Sequence, residues 1–403
     1  MINNHPYYYY YKINDTVYNS KLSALSAKKR INNITWCFPS WELALEQIDV
    51  TQEPIESLDE LYLQRAIQLR NQYDYLILFY SGGNDSNQIL ETFMLNNIFI
   101  DEIIIIERYD SNIENSMTKL ELLTAFPEFY ESRKAAIPQA EFYIETFSPK
   151  TKLSINTNFY QTNRNLWDSF TDISLKNHLN SANVGINSRM LPRFVDPSYI
   201  NNDWIKLMEI KKVGLIYGKE KVSLEQDHIG YYIFMNDVHV AEYIDPYYFL
   251  SPKNLQNNTE LFYTHPSFVK IHIKQAHQLI RHVDSRYIIN RSDPLYYTRV
   301  LEDTYAKVIY NRKYKRLYTG FKTVDLVKEK FYALNKLDIK PYEVIELGTE
   351  LYLKILESDQ NSNYHKLLTE IKYHFLPNVE LSKIRSLYTR TSCRTKKYYV
   401  KYK

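Results

Sequence analysis

The chain has 403 residues, 44% hydrophobic and 24% charged, with a net charge of +3 at neutral pH. That length buries a large core and points to two or three lobes. The mild charge does not by itself imply nucleic-acid binding, and no stretch reaches the roughly 18 uncharged apolar residues that a membrane helix needs. Two cysteines, Cys37 and Cys393, are too few for a disulfide framework, and no basic-then-apolar signal opens the chain, so a reducing cytoplasm is expected. The excess of Tyr (38) over Gly (8) reads as the drift of an AT-rich genome and carries no mechanism.

Residues 1–55 read as an N-terminal leader. Its tyrosine run at 7–11 and its Trp36 to Trp41 region favour strands and aromatic packing over disorder. Ser57-Leu58-Asp59-Glu60 is a capping box ahead of a helix with Leu58, Leu61, Tyr62, Ala66 and Leu69 on one face. Residues 75–80 form a short apolar run of the kind buried in parallel sheets. It ends in Ser81-Gly82-Gly83-Asn84-Asp85-Ser86, which sets two of the chain's 8 glycines side by side. Ile89, Leu90, Phe93 and Met94 then recur at helical spacing, and 101–106 is a second buried-type strand. Strand, glycine turn, helix and strand make a βαβ unit. Ligands of such sheets sit at the carboxyl ends of the strands, where this turn falls.

Glycine permits the tight turn and leaves no Cβ to hold a phosphate away. The helix N-terminus that follows adds unpaired N–H donors and partial positive charge. Ser81, Gly82, Gly83, Asn84, Asp85 and Ser86 therefore read as a phosphate or pyrophosphate cradle. Asp85 is a candidate Mg²⁺ ligand, directly or through water, because hard cations take carboxylate oxygens and bridge phosphates. It also suits a helix cap, and the two roles are compatible.

The pattern Ser-Gly-Gly-x-Asp-Ser, with Asn84 in the variable place, resembles the PP-loop signature of the N-type ATP pyrophosphatases. That superfamily includes asparagine synthetase, GMP synthetase and lysidine synthetase. The likeness covers residues 70–110. It implies a parallel-sheet, HUP-like nucleotide-binding domain in which Ser81, Gly82, Gly83, Asp85 and Ser86 hold the pyrophosphate moiety of ATP together with Mg²⁺. It also implies a reaction that transfers AMP to a substrate oxygen, releases pyrophosphate, and lets a nitrogen or sulfur nucleophile displace AMP.

Further along, 118–133 reads as a helix interrupted near Pro127, 140–147 as a third strand, and 213–217 as a fourth. Residues 150–205 are polar and Asn-rich, mostly helical or irregular, with Trp167 and Trp204 as anchors. The pattern of 231–243 predicts a hairpin turning at Asn236-Asp237. From 285 onward the periodicity is helical, over 295–312, 323–335, 341–357 and 363–374. The expected fold class is α/β: a leader (1–55), a PP-loop ATP-binding domain with insertions (56–284), and a helical C-terminal lobe with a basic tail (285–403).

Glycines gather a second time in Gly214-Leu215-Ile216-Tyr217-Gly218-Lys219-Glu220-Lys221. A Walker A loop needs four residues between its glycines and Ser or Thr after Lys, and this segment has neither. It reads instead as a strand ending in a glycine turn at the same sheet edge as the cradle. There Lys219 and Lys221 either neutralise phosphate charge as pyrophosphate departs or form a basic turn paired with Glu220. The acidic glycine-rich motif of asparagine synthetases is missing here. Glu107, Arg108 and Asp110 follow the second strand, as nucleotide neighbours or as a solvated loop.

His272, His277 and His282 lie five residues apart, a spacing that turns about 140° on a helix, so they share no face and suit structural roles better than a metal cluster. The segment 262–266 before them is a candidate lining of an acceptor pocket. Cys37, between Trp36 and Phe38 and with no Cys-x-x-Cys in the chain, suits a core residue better than a sulfur carrier. Over 385–403, seven basic residues alternate with Tyr388, Tyr398, Tyr399 and Tyr402 without an acidic one. That composition suits an RNA or single-stranded DNA contact, a solvated tail, or a lid over ATP.

Together these readings predict an ATP- and Mg²⁺-dependent adenylating ligase. It would activate a carbonyl or carboxyl oxygen of a small or macromolecular acceptor and release pyrophosphate, and attack by amine or ammonia would give an amide- or amidine-type product. No glutaminase half with an N-terminal cysteine is recognisable. A nucleotide-binding structural or regulatory protein, or an enzyme modifying a nucleic-acid base, is the alternative.

Overall fold

A computed structural model of the chain describes residues 6–18, 24, 34–106, 132–156, 202–218, 223–237, 258–282 and 393–402. Its centre is a five-stranded, wholly parallel sheet of β4 (Tyr75–Phe79), β5 (Glu102–Ile106), β6 (Lys152–Asn156), β7 (Val213–Tyr217) and β10 (Thr259–Leu261). The spatial order is β6-β5-β4-β7-β10, or 3-2-1-4-5 by appearance in the chain. The order reverses between β4 and β7, so the crevice above their carboxyl ends is the topological switch point of a doubly wound sheet.

The strands are apolar on both faces, as a sheet covered twice requires. Leu76, Leu78, Ile103, Ile105 and Ile216 face the core shared with α2 (Leu58–Gln72), α3 (Asn84–Leu95) and α4 (Ile137–Phe147). Ile77, Ile104, Val213 and Leu215 face the other way, where Leu207 and Met208 of α5 (Asn202–Ile210) pack. The capping box forms as the sequence predicts: the Glu60 N–H donates to Ser57 Oγ at 3.2 Å and the Ser57 N–H to Glu60 Oε2 at 2.7 Å.

Residues 140–147, expected as a strand, are helical. Pro138 stands in the first turn, where its missing N–H costs nothing, and a five-residue π turn (Ser132–Ala136) leads in. Ile137, Ala140 and Tyr143 are buried at helical spacing, while Phe142 and Ile144 are only partly covered. The apparent alternation is a by-product of that face. The third parallel strand is β6 instead.

A second core joins distant parts of the chain. β1 (Tyr10–Ile13) pairs antiparallel with β2 (Thr16–Tyr18) and β3 (Thr35–Cys37), and β9 (Gly230–Phe234) pairs with β8 (Ser223–Gln226) and β11 (Tyr398–Tyr402). Between them and α6 (Val269–His282) lie Tyr11, Trp36, Phe38, Ile233, Met235 and Val400, together with Trp41 of α1 (Pro39–Glu46). The tyrosine run is thus packed, with Tyr7, Tyr9 and Tyr11 buried. A hairpin joins β8 to β9 through a turn at 227–229, and the second half of the hairpin expected over 231–243 lies outside the described residues. Asp227 Oδ1 accepts the N–H groups of Ile229 at 2.9 Å and Gly230 at 3.3 Å, an Asx turn. Asp237 is buried between Tyr11 Oη at 3.1 Å and the Cys393 N–H at 2.9 Å.

The leader is fastened to the sheet by one buried cluster. Glu260 of β10 accepts hydrogen bonds from Arg65 Nη2 at 2.6 Å, Tyr7 Oη at 2.8 Å, Tyr73 Oη at 2.6 Å and Gln72 Nε2 at 3.2 Å. Tyr7 Oη also accepts the Leu261 N–H at 2.9 Å, which occupies a donor on the strand at the sheet's edge. Among the described residues no helix is long and apolar enough to cross a membrane. The predicted helix at 118–133 lies outside the described residues except for its last two, Ser132 and Arg133, which open the π turn, and the helices expected beyond 285 lie outside them.

Candidate functional site

The Ser81–Ser86 loop leaves the carboxyl end of β4 at the switch point and runs into α3, as its sequence position predicts. It is braced from within by its serines. Ser86 Oγ accepts the Ser81 N–H at 3.2 Å and donates to the Gly83 carbonyl at 3.2 Å, and Ser81 Oγ accepts the Gly83 N–H at 3.3 Å. The two hydroxyl oxygens are 3.2 Å apart. Gly83 is the N-cap and no side chain caps α3. The first-turn N–H groups have no carbonyl inside the helix to bind, so they present partial positive charge at the loop.

The glycines have separate reasons. Gly82 has φ +70°, and a Cβ there would stand 2.9 Å from the Ala136 backbone, so its smallness serves the turn and the packing of the π turn against the loop. A Cβ on Gly83 would meet only Ser81 Oγ, at 3.3 Å. Gly218, next after β7, faces the start of α3, where a Cβ would lie 3.0 Å from the Ser86 nitrogen and 3.1 Å from the Asp85 carbonyl carbon. The second glycine cluster therefore packs against the Ser81–Ser86 loop. Lys219 and Lys221, the cations expected there, lie outside the described residues, as do Glu107, Arg108 and Asp110.

Asp85 is half-buried in the first turn of α3, where negative charge suits the helix dipole. Its carbonyl accepts a hydrogen bond from Tyr263 Oη at 2.8 Å. Tyr263 follows β10 at the same sheet edge, and burial, reinforced by the Asp85 charge, holds its phenol well above its usual range, so it stays a donor. Behind the loop, Asn87 Oδ1 accepts from Tyr80 Oη at 3.1 Å and from Gln139 Nε2 of α4. Gln139 is buried, and its carbonyl oxygen has no partner among the described residues. Sequence reasoning missed Tyr263, Ala136 and Gln139 as loop contacts. Only the 262–266 segment had been marked, as a possible pocket lining, because no local spacing encodes a contact made across the sheet.

The remaining candidates have structural places. His272 is buried, with Nδ1 accepting from Trp41 Nε1 at 3.0 Å and Nε2 3.4 Å from Thr264 Oγ1. His277 Nε2 lies 3.1 Å from the Val50 carbonyl and His282 Nδ1 2.8 Å from that of Gln278, so each imidazole has its own neighbour. No group of three or more His, Cys, Asp or Glu gathers among the described residues. Burial pushes the Cys37 thiol up, with the Glu42 charge adding to it, which disfavours a thiolate.

In the described part of the tail, Arg394 pairs with Glu225 at 3.0 Å, Lys397 with Asp227 at 2.8 Å, and Lys396 with Glu46. Tyr398 and Val400 face the second core. The arrangement at the switch point suits an anion whose charge is shared between helix N–H groups and a cation at Asp85. No protein-family model matches this chain, and comparison with curated proteins and with solved structures finds no match either.

Proposed function

We propose that the protein is an ATP-dependent adenylating ligase of the PP-loop type. The observation that carries this reading is the Ser81–Ser86 loop at the switch point of a 3-2-1-4-5 parallel sheet, running into an α3 that no side chain caps. The residues present fit a polyphosphate. The first-turn N–H groups and the Ser81 hydroxyl are donors of the kind phosphate oxygens accept, with Ser86 bracing the loop from within. Asp85, the one carboxylate of the loop, would repel that anion unless a hard cation lay between them, and a carboxylate plus phosphate oxygens is the donor set Mg²⁺ takes. When bound, Mg²⁺ would neutralise charge developing on departing pyrophosphate.

In this mechanism the loop backbone and the Ser81 hydroxyl hold the β- and γ-phosphates and orient the α-phosphorus. A carbonyl or carboxyl oxygen of the acceptor forms a bond to that phosphorus as the bond to pyrophosphate breaks. An amine or ammonia then displaces AMP. Catalysis rests on positioning and on donors aimed at the leaving group, with Lys219 and Lys221 as proposed further cations. Two cysteines, Cys37 and Cys393, are too few for a disulfide framework and fit a reducing compartment, the cytoplasm.

The test is turnover of α-labelled ATP with Mg²⁺, with wild type and Asp85→Ala, in a cytosolic extract of small molecules and RNA. AMP plus pyrophosphate from the wild type, lost in the variant, is the expected result. ADP plus phosphate would overturn the mechanism. Tight ATP binding without turnover would favour a nucleotide-binding structural or regulatory protein. The base-modifying alternative calls for RNA binding that weakens steeply with salt. Carboxylate pairing of Arg394, Lys396 and Lys397 leaves less free charge for it.

A further inference from the structure

We propose that Tyr263 is a positioning residue for the anion site: through its bond to the Asp85 carbonyl it holds the first turn of α3 so that the Asp85 carboxylate meets the divalent cation accompanying a polyphosphate. The inference rests on the reading of the loop as a nucleotide phosphate site.

Three observations lead to it. First, the contact is directed. The Asp85 carbonyl, in the first turn of the helix, already accepts the N–H four residues on, and Tyr263 Oη adds a second donor at 2.8 Å from a side chain 178 residues away. Packing alone would be served by phenylalanine, since the ring is 1% exposed and lies edge-on to Tyr62 and Phe262, with centroids 5.5 and 5.1 Å away. The hydroxyl is what the bond to Asp85 uses.

Second, the anchor is stiff. Tyr62 Oη of α2, the ring against Tyr263, accepts from Gln275 Nε2 of α6 at 3.0 Å, so the phenol that holds Asp85 is braced by two helices. Third, the Asp85 backbone is confined on another side by Gly218, where even a Cβ would come within 3.1 Å. The turn therefore has one place to be. Mg²⁺ demands near-octahedral geometry at about 2.0–2.1 Å, so a ligand carried on a turn free to shift binds it less well. Anion binding by the backbone N–H groups tolerates such a shift better.

The test is calorimetric binding of inorganic pyrophosphate and of ATP to the full chain, each with Mg²⁺ and with EDTA. The proteins are wild type, Tyr263→Phe, Asp85→Asn, the double variant, and Tyr62→Phe. Tyr263→Phe is expected to match wild type in EDTA and to lose roughly three- to tenfold in affinity with Mg²⁺, the worth of one hydrogen bond. The double variant should bind no more weakly than Asp85→Asn, because Tyr263 acts through Asp85. Tyr62→Phe, which keeps the Tyr263 bond but removes the brace from Gln275, should lose less of the Mg²⁺ response than Tyr263→Phe and match wild type in EDTA. Equal weakening with and without Mg²⁺, an unchanged Mg²⁺ response, or additive effects in the double variant would each overturn the positioning role while leaving the phosphate site standing. Wild type that binds neither ligand would overturn the phosphate reading and this inference with it.

Discussion

Replacing Glu260 by Gln tests how the leader and the parallel sheet are joined. The Glu260 side chain is 3% exposed and its partner Arg65 0% exposed, so the substitution leaves a guanidinium buried without its counter-charge. Breaking a buried pair from one side costs about 3–5 kcal/mol, a large part of the roughly 5–15 kcal/mol that holds a protein folded. At a slope of about 3 kcal/mol per M, the urea midpoint should fall by about 1–2 M. Adding Arg65→Met removes the orphan charge and should restore most of the loss.

The pair also leaves a signature in acid. Burial raises the Glu260 carboxyl, but Arg65, then the bonds from Tyr73 and Arg65, lower it more, and the net direction is down. A carboxyl held below its unfolded value contributes stability above that value, and the contribution is lost as pH falls through the folded one. Glu260→Gln should therefore flatten the loss of stability below about pH 4.5, where an unfolded glutamate titrates. A loss under about 1 kcal/mol, or a double variant as weak as Glu260→Gln alone, would refute the reasoning, because either would mean the charge is not desolvated.

Gly82→Ala meets a φ of +70° and the Ala136 backbone at 2.9 Å, costs of about 1–2 and 1–3 kcal/mol respectively. It should weaken pyrophosphate binding in calorimetry far more than Gly83→Ala does, and equal effects would contradict the loop geometry. His272→Ala leaves the Trp41 indole N–H without its acceptor, which costs about 1–3 kcal/mol before any cavity. Its urea midpoint and that of wild type should not move with EDTA, and a chelator-sensitive wild type would reopen a metal role. Glu53 is held down to about 2, first by the hydrogen bond from Arg281 and then by Lys274. Its tie to α6 contributes above its unfolded value of 4.5 and is lost as pH falls toward about 2, so Glu53→Gln should reduce the acid sensitivity of melting in that window. Deleting 393–402 removes β11 and uncovers the part of the second core that Val400 packs against. The melting temperature should drop in the absence of any nucleic acid, and an unchanged value would make the tail an appendage.

What the sequence by itself determined lies within short stretches of chain. The Ser57–Glu60 capping box, the 75–80 strand, the glycine turn and the helix after it are each decided by contacts a few residues apart, so their signals are local. The place of the Ser81–Ser86 loop at a strand's carboxyl end was legible for the same reason. The 140–147 segment was misread because a short apolar stretch fits either period until a neighbour selects its face, and the π turn and Pro138 made that selection. Only the tertiary structure decided the strand order, since parallel strands buried on both faces carry no pattern that says which lies beside which. The same holds for what surrounds the glycine loop. Ala136, Gly218 and Tyr263 arrive from three separate connections, and Tyr7 finds Glu260 across 253 residues. Such meetings are fixed by how sheet and helices close on one another, and no periodicity along the chain records them.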